Sequence, residues 1–194
     1  MLNSDKIYLI NLVHRTDRLR MAKRQFDNAG IIDYVIFPAI DARKLKIKGT
    51  NEENQGLIGC FLSHFFILQE AVINKYKRVT IFEDDILLVD GFKEKLELAY
   101  KDVPEKWQMI YLGYYERRGK AKIKINENVS IPKNTWGTHA YMLQNDGIKI
   151  MYDNLQEIRS HIDVQIDRDI VPKMYTYCIS PALCTQSGIK SDIQ

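Results

Sequence analysis

Short apolar runs alternate with amphipathic stretches along the first third of the chain, and each pattern predicts a different element. Residues 7–12 (IYLINL) form a short apolar run of the kind that a buried central strand shows. After His14, Arg15, Thr16, Asp17 and Arg18 comes a stretch with Leu19, Ala22, Phe26 and Ala29 on one face, which predicts a helix. Thr16 suits its N-cap, and Gly30 suits the position just past its end. Residues 34–40 (YVIFPAI) predict a second strand that runs into Asp41. Strand, helix, strand in that order predicts a parallel sheet with helices on its faces.

Residues 42–56 are rich in Lys, Asn and Glu and read as a surface loop. From Leu57 the pattern turns helical, with Ile58, Phe61, Leu62, Phe65, Leu68 and Val72 near the helical spacing. Residues 78–82 (RVTIF) predict a strand leading directly into Glu83-Asp84-Asp85. Residues 92–101 predict a helix with Phe92, Leu96 and Ala99 inward, and residues 109–112 a strand ending at Gly113. Residues 121–131 alternate polar and apolar, the mark of a half-exposed hairpin. Residues 136–143 (WGTHAYML) predict a strand, and Asn145 the cap of a helix bearing Ile148, Met151, Leu155 and Ile158. The end of the chain supplies a strand-like YTYCI and then an irregular tail. With no internal repeat or Pro/Gly linker, the expectation is one α/β domain over residues 1–194.

Composition narrows the function more than the fold. The net charge is only +3, from 28 Lys and Arg against 25 Asp and Glu, which disfavours a nucleic-acid binder. No apolar run is expected to approach the ~20 residues that span a bilayer, and residues 1–10 lack a signal-peptide pattern. Cys60, Cys178 and Cys184 form no CxxC pair, which suits free thiols in a reducing, intracellular setting on the cytoplasmic side.

The acidic triplet Glu83-Asp84-Asp85 is the most informative spot. In open α/β sheets ligands gather outside the carboxyl ends of strands, where this triplet would lie. Alternation along an extended segment puts Glu83 and Asp85 on one side and Asp84 on the other. Two carboxylates on one side suit Mg²⁺ or Mn²⁺ carrying a phosphate-containing substrate; a solvated strand-to-loop junction is the plainer alternative. Arg15 and Arg18 could offer a guanidinium to a diphosphate or simply charge a first helical turn. Asp41 could take a ribose hydroxyl or cap the next turn. Ser63-His64 sits in an apolar helix, where a lone His is more often a satisfied core residue. Cys60 and His64 share a helix-face spacing, but nothing nearby would activate the thiol as a nucleophile. No HxH or HExxH spacing points to zinc, and no GxxxxGK[ST] or GxSxG is present. The basic run Arg117, Arg118, Lys120, Lys122 and Lys124 is a solvated face, or a site for an anionic acceptor or peripheral membrane contact.

Taken in order, eight segments resemble glycosyltransferase family 25, the group of bacterial lipooligosaccharide galactosyltransferases and procollagen galactosyltransferases. They are IYLINLVHRTDR, FPAIDA, GLIGCFLSH, VTIFEDDILL, YLGYY, WGTHAYML, HIDVQI and PALCTQSGIKSDI. The combination GCFLSH, then FEDD, then GTHAY is the specific part. The resemblance implies a GT-A type α/β nucleotide-binding fold, with a mixed, mostly parallel central sheet flanked by helices. It implies a UDP-sugar donor, most often UDP-galactose with UDP-glucose as the other option, and transfer with inversion. The acceptor would be a hydroxyl on a glycan, a glycolipid or a hydroxylysine-type side chain. It also implies Mn²⁺ or Mg²⁺ at Glu83 and Asp85, and nucleotide contacts from Asn11, Arg15, Arg18, Asp41, Ser63, His64 and Asp84. Asp163 in HIDVQI would be the general base, with Asp167 in reserve. Two other functions stay open: a nucleotidyl- or phosphoryl-transferase using the same metal site, and a catalytically silent sugar-nucleotide-binding domain.

Overall fold

Three parallel strands carry the site, and the rest of the fold is arranged around them. The computed structural model describes residues 2–45, 52–116 and 123–188. β1 (Lys6–Asn11) lies between β2 (Val35–Pro38) and β3 (Arg78–Glu83) and runs parallel to both. The crossover from β1 to β2 is α1 (Thr16–Asn28), so the expected strand–helix–strand opening is present. β8 (Thr135–Gln144) pairs antiparallel with β3 on one side and with β5 (Met109–Glu116) on the other. β9 (Thr176–Ile179) runs parallel to β5, and the hairpin β6 (Ile123–Lys124) and β7 (Val129–Ile131) closes the far edge. The order is β2-β1-β3-β8-β5-β9-β7-β6, a mixed sheet flanked by helices.

Side-chain alternation sends each strand's residues to two cores. On one face Leu9, Phe82 and Ile110 pack with Phe26 of α1 and with Phe92 and Leu96 of α3 (Phe92–Tyr100). On the other, Tyr8, Ile10, Ile81 and Tyr141 pack with α2 (Glu52–Ile73) and α4 (Asp146–Asn154) through Phe61, Leu68, Ile148 and Met151.

Several boundaries differ from the sequence reading, each for a local reason. Arg15, not Thr16, occupies the N-cap of α1, without a side-chain cap bond. The C-terminus is as expected. Gly30 takes a φ of 66°, its N–H donates to the Asp27 carbonyl, and the Ile31 N–H donates to the Phe26 carbonyl, closing a Schellman motif. Asn145 also makes no side-chain cap, and α4 ends at Asn154, before Leu155 and Ile158. Part of the stretch read as a loop is ordered: residues 42–45 form a 3₁₀ turn and α2 begins at Glu52. Two three-residue strands, β4 (Ile86–Leu88) and β10 (Cys184–Gln186), pair antiparallel where an irregular tail was expected. Of the basic run, Lys124 pairs with Glu127 at 3.0 Å on the surface, while Arg117, Arg118, Lys120 and Lys122 lie outside the described residues.

The expectation that no apolar run approaches a bilayer-spanning length fails for α2. Residues Asn54–Ile73 are long and apolar enough to cross a membrane by length and composition. In this fold the same apolarity buries Phe61, Ile67, Leu68 and Ala71 against the sheet and α4.

The close approach of α2 to the end of β2 depends on Gly59. A Cβ there would lie 2.3 Å from the Ile40 carbonyl oxygen, a backbone atom that cannot swing aside. Gly59→Ala is therefore expected to cost about 1–3 kcal/mol through overpacking, despite the ~1 kcal/mol by which Ala is the better helix former. Urea denaturation checks this, and an unchanged or raised midpoint would refute the contact's importance.

Candidate active site

β1, β2 and β3 end together, and a cavity of about 110 Å³ opens beyond their carboxyl ends. Its walls come from the ends of β1 and β2, the 3₁₀ turn, one face of α2 and the acidic triplet. Arg18, Asp41, Ser63, His64, Glu83, Asp84 and Asp85 all line it. Asn11 reaches its edge by donating from Nδ2 to Asp84 Oδ2 at 2.6 Å.

The triplet is divided differently from simple alternation. β3 ends at Glu83, and Asp84 and Asp85 form the turn into β4, so the extended geometry that alternation assumes stops after Glu83. Glu83 turns toward α2 and β8. Its Oε1 accepts from Thr138 Oγ1 at 2.6 Å and lies 3.3 Å from His64 Nε2. Burial alone would raise its carboxyl, but the hydrogen bonds and charge of His64, with the Thr138 hydroxyl, outweigh burial and hold it at about 2. Asp84 and Asp85 instead share Arg18. Its Nε lies 2.8 Å from Asp84 Oδ1, and its Nη2 contacts Asp85 Oδ2. Gln186 of β10 donates to both Asp85 oxygens at 3.2 Å. Burial raises Asp84 in spite of Arg18, and burial together with the Glu83 charge pushes Asp85 up to about 6.

A hard divalent cation suits this donor set. Glu83 and Asp85 both line the cavity and offer carboxylate oxygens, the donors that such a cation prefers. The residues present therefore fit Mn²⁺ or Mg²⁺.

The other expected residues occupy mixed positions. Arg15 does not line the cavity; its guanidinium makes two 3.1 Å contacts with Asp17. Asp41 accepts from Arg43 Nε at 2.7 Å, and that bond holds its carboxyl below the usual carboxylate range. Ser63 Oγ donates to the Gly59 carbonyl at 2.7 Å and accepts from the Ile40 N–H at 2.8 Å, tying α2 to the strand end. Asp163 and Asp167 stand apart from the cavity wall, at the start of β8. Asp163, in α5 (Ile162–Gln165), accepts from the Gly137 N–H at 3.2 Å, and Asp167 accepts from the Thr135 N–H at 3.1 Å. They do face the same strand, although a π-helical turn begins at Ile166 between them.

Thr138, Tyr141, Arg43, Cys60 and Gln186 also belong to this neighbourhood, and residue-by-residue reasoning did not assign them roles there. Thr138 and Tyr141 lie within GTHAY, so the segment was visible but not the partners of its side chains. His64 Nδ1 is 2.9 Å from Tyr141 Oη, and the two rings stack. His139 is fully buried beside Gly113 and Gly137, where added Cβ atoms would come within 2.4 and 2.9 Å of its ring nitrogens. Burial lowers its pKa.

The family model described as glycosyltransferase family 25 (LPS biosynthesis protein) matches residues 4–168. Procollagen galactosyltransferase 2 of Mus musculus is 30% identical, the match covering 64% of this chain and 23% of that protein. A glycosyltransferase 25 family member of Aedes aegypti is 32% identical, over 55% of this chain and 21% of its own length. The inactive glycosyltransferase 25 family member 3 of Mus musculus is 31% identical, over 56% and 22%. This chain thus spans less than a quarter of the length of these relatives. A crystal structure of a glycosyltransferase involved in the glycosylation of the major capsid of PBCV-1 superposes with a TM-score of 0.59 at 11% identity. That match covers 96% of this chain and 94% of the other, and the shared fold is of GT-A type.

Proposed function

From the premise that the chain belongs to glycosyltransferase family 25, we propose that it transfers a sugar from a UDP-sugar to an acceptor hydroxyl, with inversion. Galactose is the favoured sugar and glucose the alternative; the acceptor is a glycan, glycolipid or hydroxylysine-type side chain. One observation carries the reading: Asp41, Ser63, His64 and the triplet Glu83-Asp84-Asp85 converge on a single cavity at the carboxyl ends of β1, β2 and β3. That is where an open α/β sheet binds nucleotides.

In this reading Asp41 accepts from a ribose hydroxyl, and the diphosphate lies toward the triplet. Glu83 and Asp85 would hold Mn²⁺ or Mg²⁺, which when bound offsets charge on the departing UDP. Arg18 orients Asp84 and Asp85 through its two ion pairs. Asp163 takes the proton from the acceptor hydroxyl, the task a carboxylate away from the cation can perform. The Gly137 N–H holds one of its oxygens and the Val164 N–H the other, which orients the carboxylate at the start of β8.

A screen of UDP-sugars with Mn²⁺, with and without acceptors, followed by mass analysis of the product, tests the proposal. Consumption of a UDP-sugar and a mass gain of one hexose on an acceptor are expected. UDP affinity measured by calorimetry should fall in EDTA. Neither UDP binding nor donor consumption under any condition would sink the reading. A second reading, sugar-nucleotide binding without turnover, is favoured by Arg18, which already places positive charge on Asp84 and Asp85. It predicts UDP binding without donor consumption.

A further inference from the structure

We propose that Cys60, His64 and Glu83 form a binding site for one thiophilic divalent cation, zinc, with its fourth position open to the cavity. Cys60 and His64 are four residues apart on α2 and so share a helix face. Glu83 meets them from the end of β3. The Cys60 thiol sulfur, a His64 ring nitrogen and a Glu83 carboxylate oxygen all lie within 4.8 Å of one another. His64 Nε2 and Glu83 Oε1 are 3.3 Å apart. Two metal bonds of about 2.0–2.1 Å at a tetrahedral angle hold a nitrogen and an oxygen about 3.3 Å apart. An ion therefore fits between these two atoms without backbone movement.

The surroundings have the form of a metal site's supporting shell. Tyr141 Oη lies 2.9 Å from His64 Nδ1, a partner that would accept the Nδ1 proton when the ion takes the place of the proton on Nε2 facing Glu83. Thr138 Oγ1 donates to Glu83 Oε1 at 2.6 Å, orienting the carboxylate. All three ligands line the cavity, so water or a substrate atom can reach the fourth position.

The donor set also selects the ion. A thiolate with an imidazole favours zinc or cobalt(II), whereas an all-oxygen set favours magnesium or manganese. Glu83 belongs to both sets, so zinc here takes a carboxylate from the Glu83–Asp85 pair and excludes the hard cation. The site goes beyond the transferase reading and does not rest on it, because metal binding alone reveals it.

Cobalt(II) is the probe. Titrated into the chelator-treated full chain, it should give a thiolate-to-cobalt charge-transfer band and the strong visible absorption of a tetrahedral ion, saturating at one equivalent. Zinc should abolish both. Cys60→Ser should remove the charge-transfer band, while Cys178→Ser should keep it. Tyr141→Phe should weaken zinc binding roughly 10–100-fold, the usual effect of removing a ligand's supporting hydrogen bond. If Cys60→Ser does not fold, alkylation of the wild-type chain decides the matter: zinc should protect Cys60, identified by peptide mass. A weak octahedral cobalt spectrum, an unchanged band in Cys60→Ser, or unprotected Cys60 would each overturn the site. A chain without transferase activity would leave these results unaltered.

Discussion

Arg18→Met should lower the stability of the protein by about 3–5 kcal/mol, the cost of breaking a buried ion pair by removing one partner. The guanidinium sits between Asp84 and Asp85, and the three side chains are only 7–9% exposed. Methionine fills similar space but leaves two carboxylates of the same sign facing each other out of water. Burial already works against ionisation of both with Arg18 in place. The penalty should therefore shrink when Asp85→Asn is added, because one of the stranded charges is gone. Guanidinium denaturation of the single and double variants, with a common slope, measures the coupling. A loss below about 1 kcal/mol, the range of an exposed pair, would mean that water reaches the carboxylates and that the burial seen here is not maintained.

Asp163→Asn should lower turnover by ~10²–10⁴-fold, the range for loss of a general base, with UDP affinity near wild type. Asparagine preserves shape and one acceptor oxygen, losing one of the two backbone N–H bonds, from Gly137 and Val164, that the carboxylate accepts, and it cannot take a proton. Asp163 stands apart from the cavity proposed for the donor, so donor binding has no reason to change. Asp167 provides the internal control. Its carboxylate is similarly held, by the Thr135 N–H, so a shared structural role would make both Asn variants lose activity together with stability. A selective loss in kcat at Asp163 identifies the base there. The same selective loss at Asp167 moves the role one turn along.

Much of the scaffold was legible because its signals are local. The apolar runs of β1 and β3, the amphipathic face of α1 and the Gly30 stop each depend on residues within a few positions of one another. An acidic triplet directly after an apolar strand likewise placed Glu83, Asp84 and Asp85 at a strand end, since the chain has nowhere else to put them. Failures occurred where the signal was short or the partner distant. β4 and β10 have three residues each, too few for a period, and exist because each supplies the other's hydrogen bonds. Alternation misassigned the triplet's sides because Asp84 begins a turn, and a turn is recognised only when β4 is seen to return.

The sequence by itself determined the kinds of chemistry available at the strand ends: carboxylates beside guanidinium groups, and an imidazole and a thiol four residues apart on one helix. Tertiary structure alone decided how they are shared. Arg18, readable as a diphosphate ligand, is drawn to Asp84 and Asp85 because the packing of α1 removes all three from water, where an unpaired charge is costly. Glu83, next in sequence to that pair, turns to His64 and Thr138, and so brings α2, β3 and β8 together at one carboxylate. Spacing along the chain cannot specify such a choice, because it is made by groups whose separation in sequence says nothing about their separation in space.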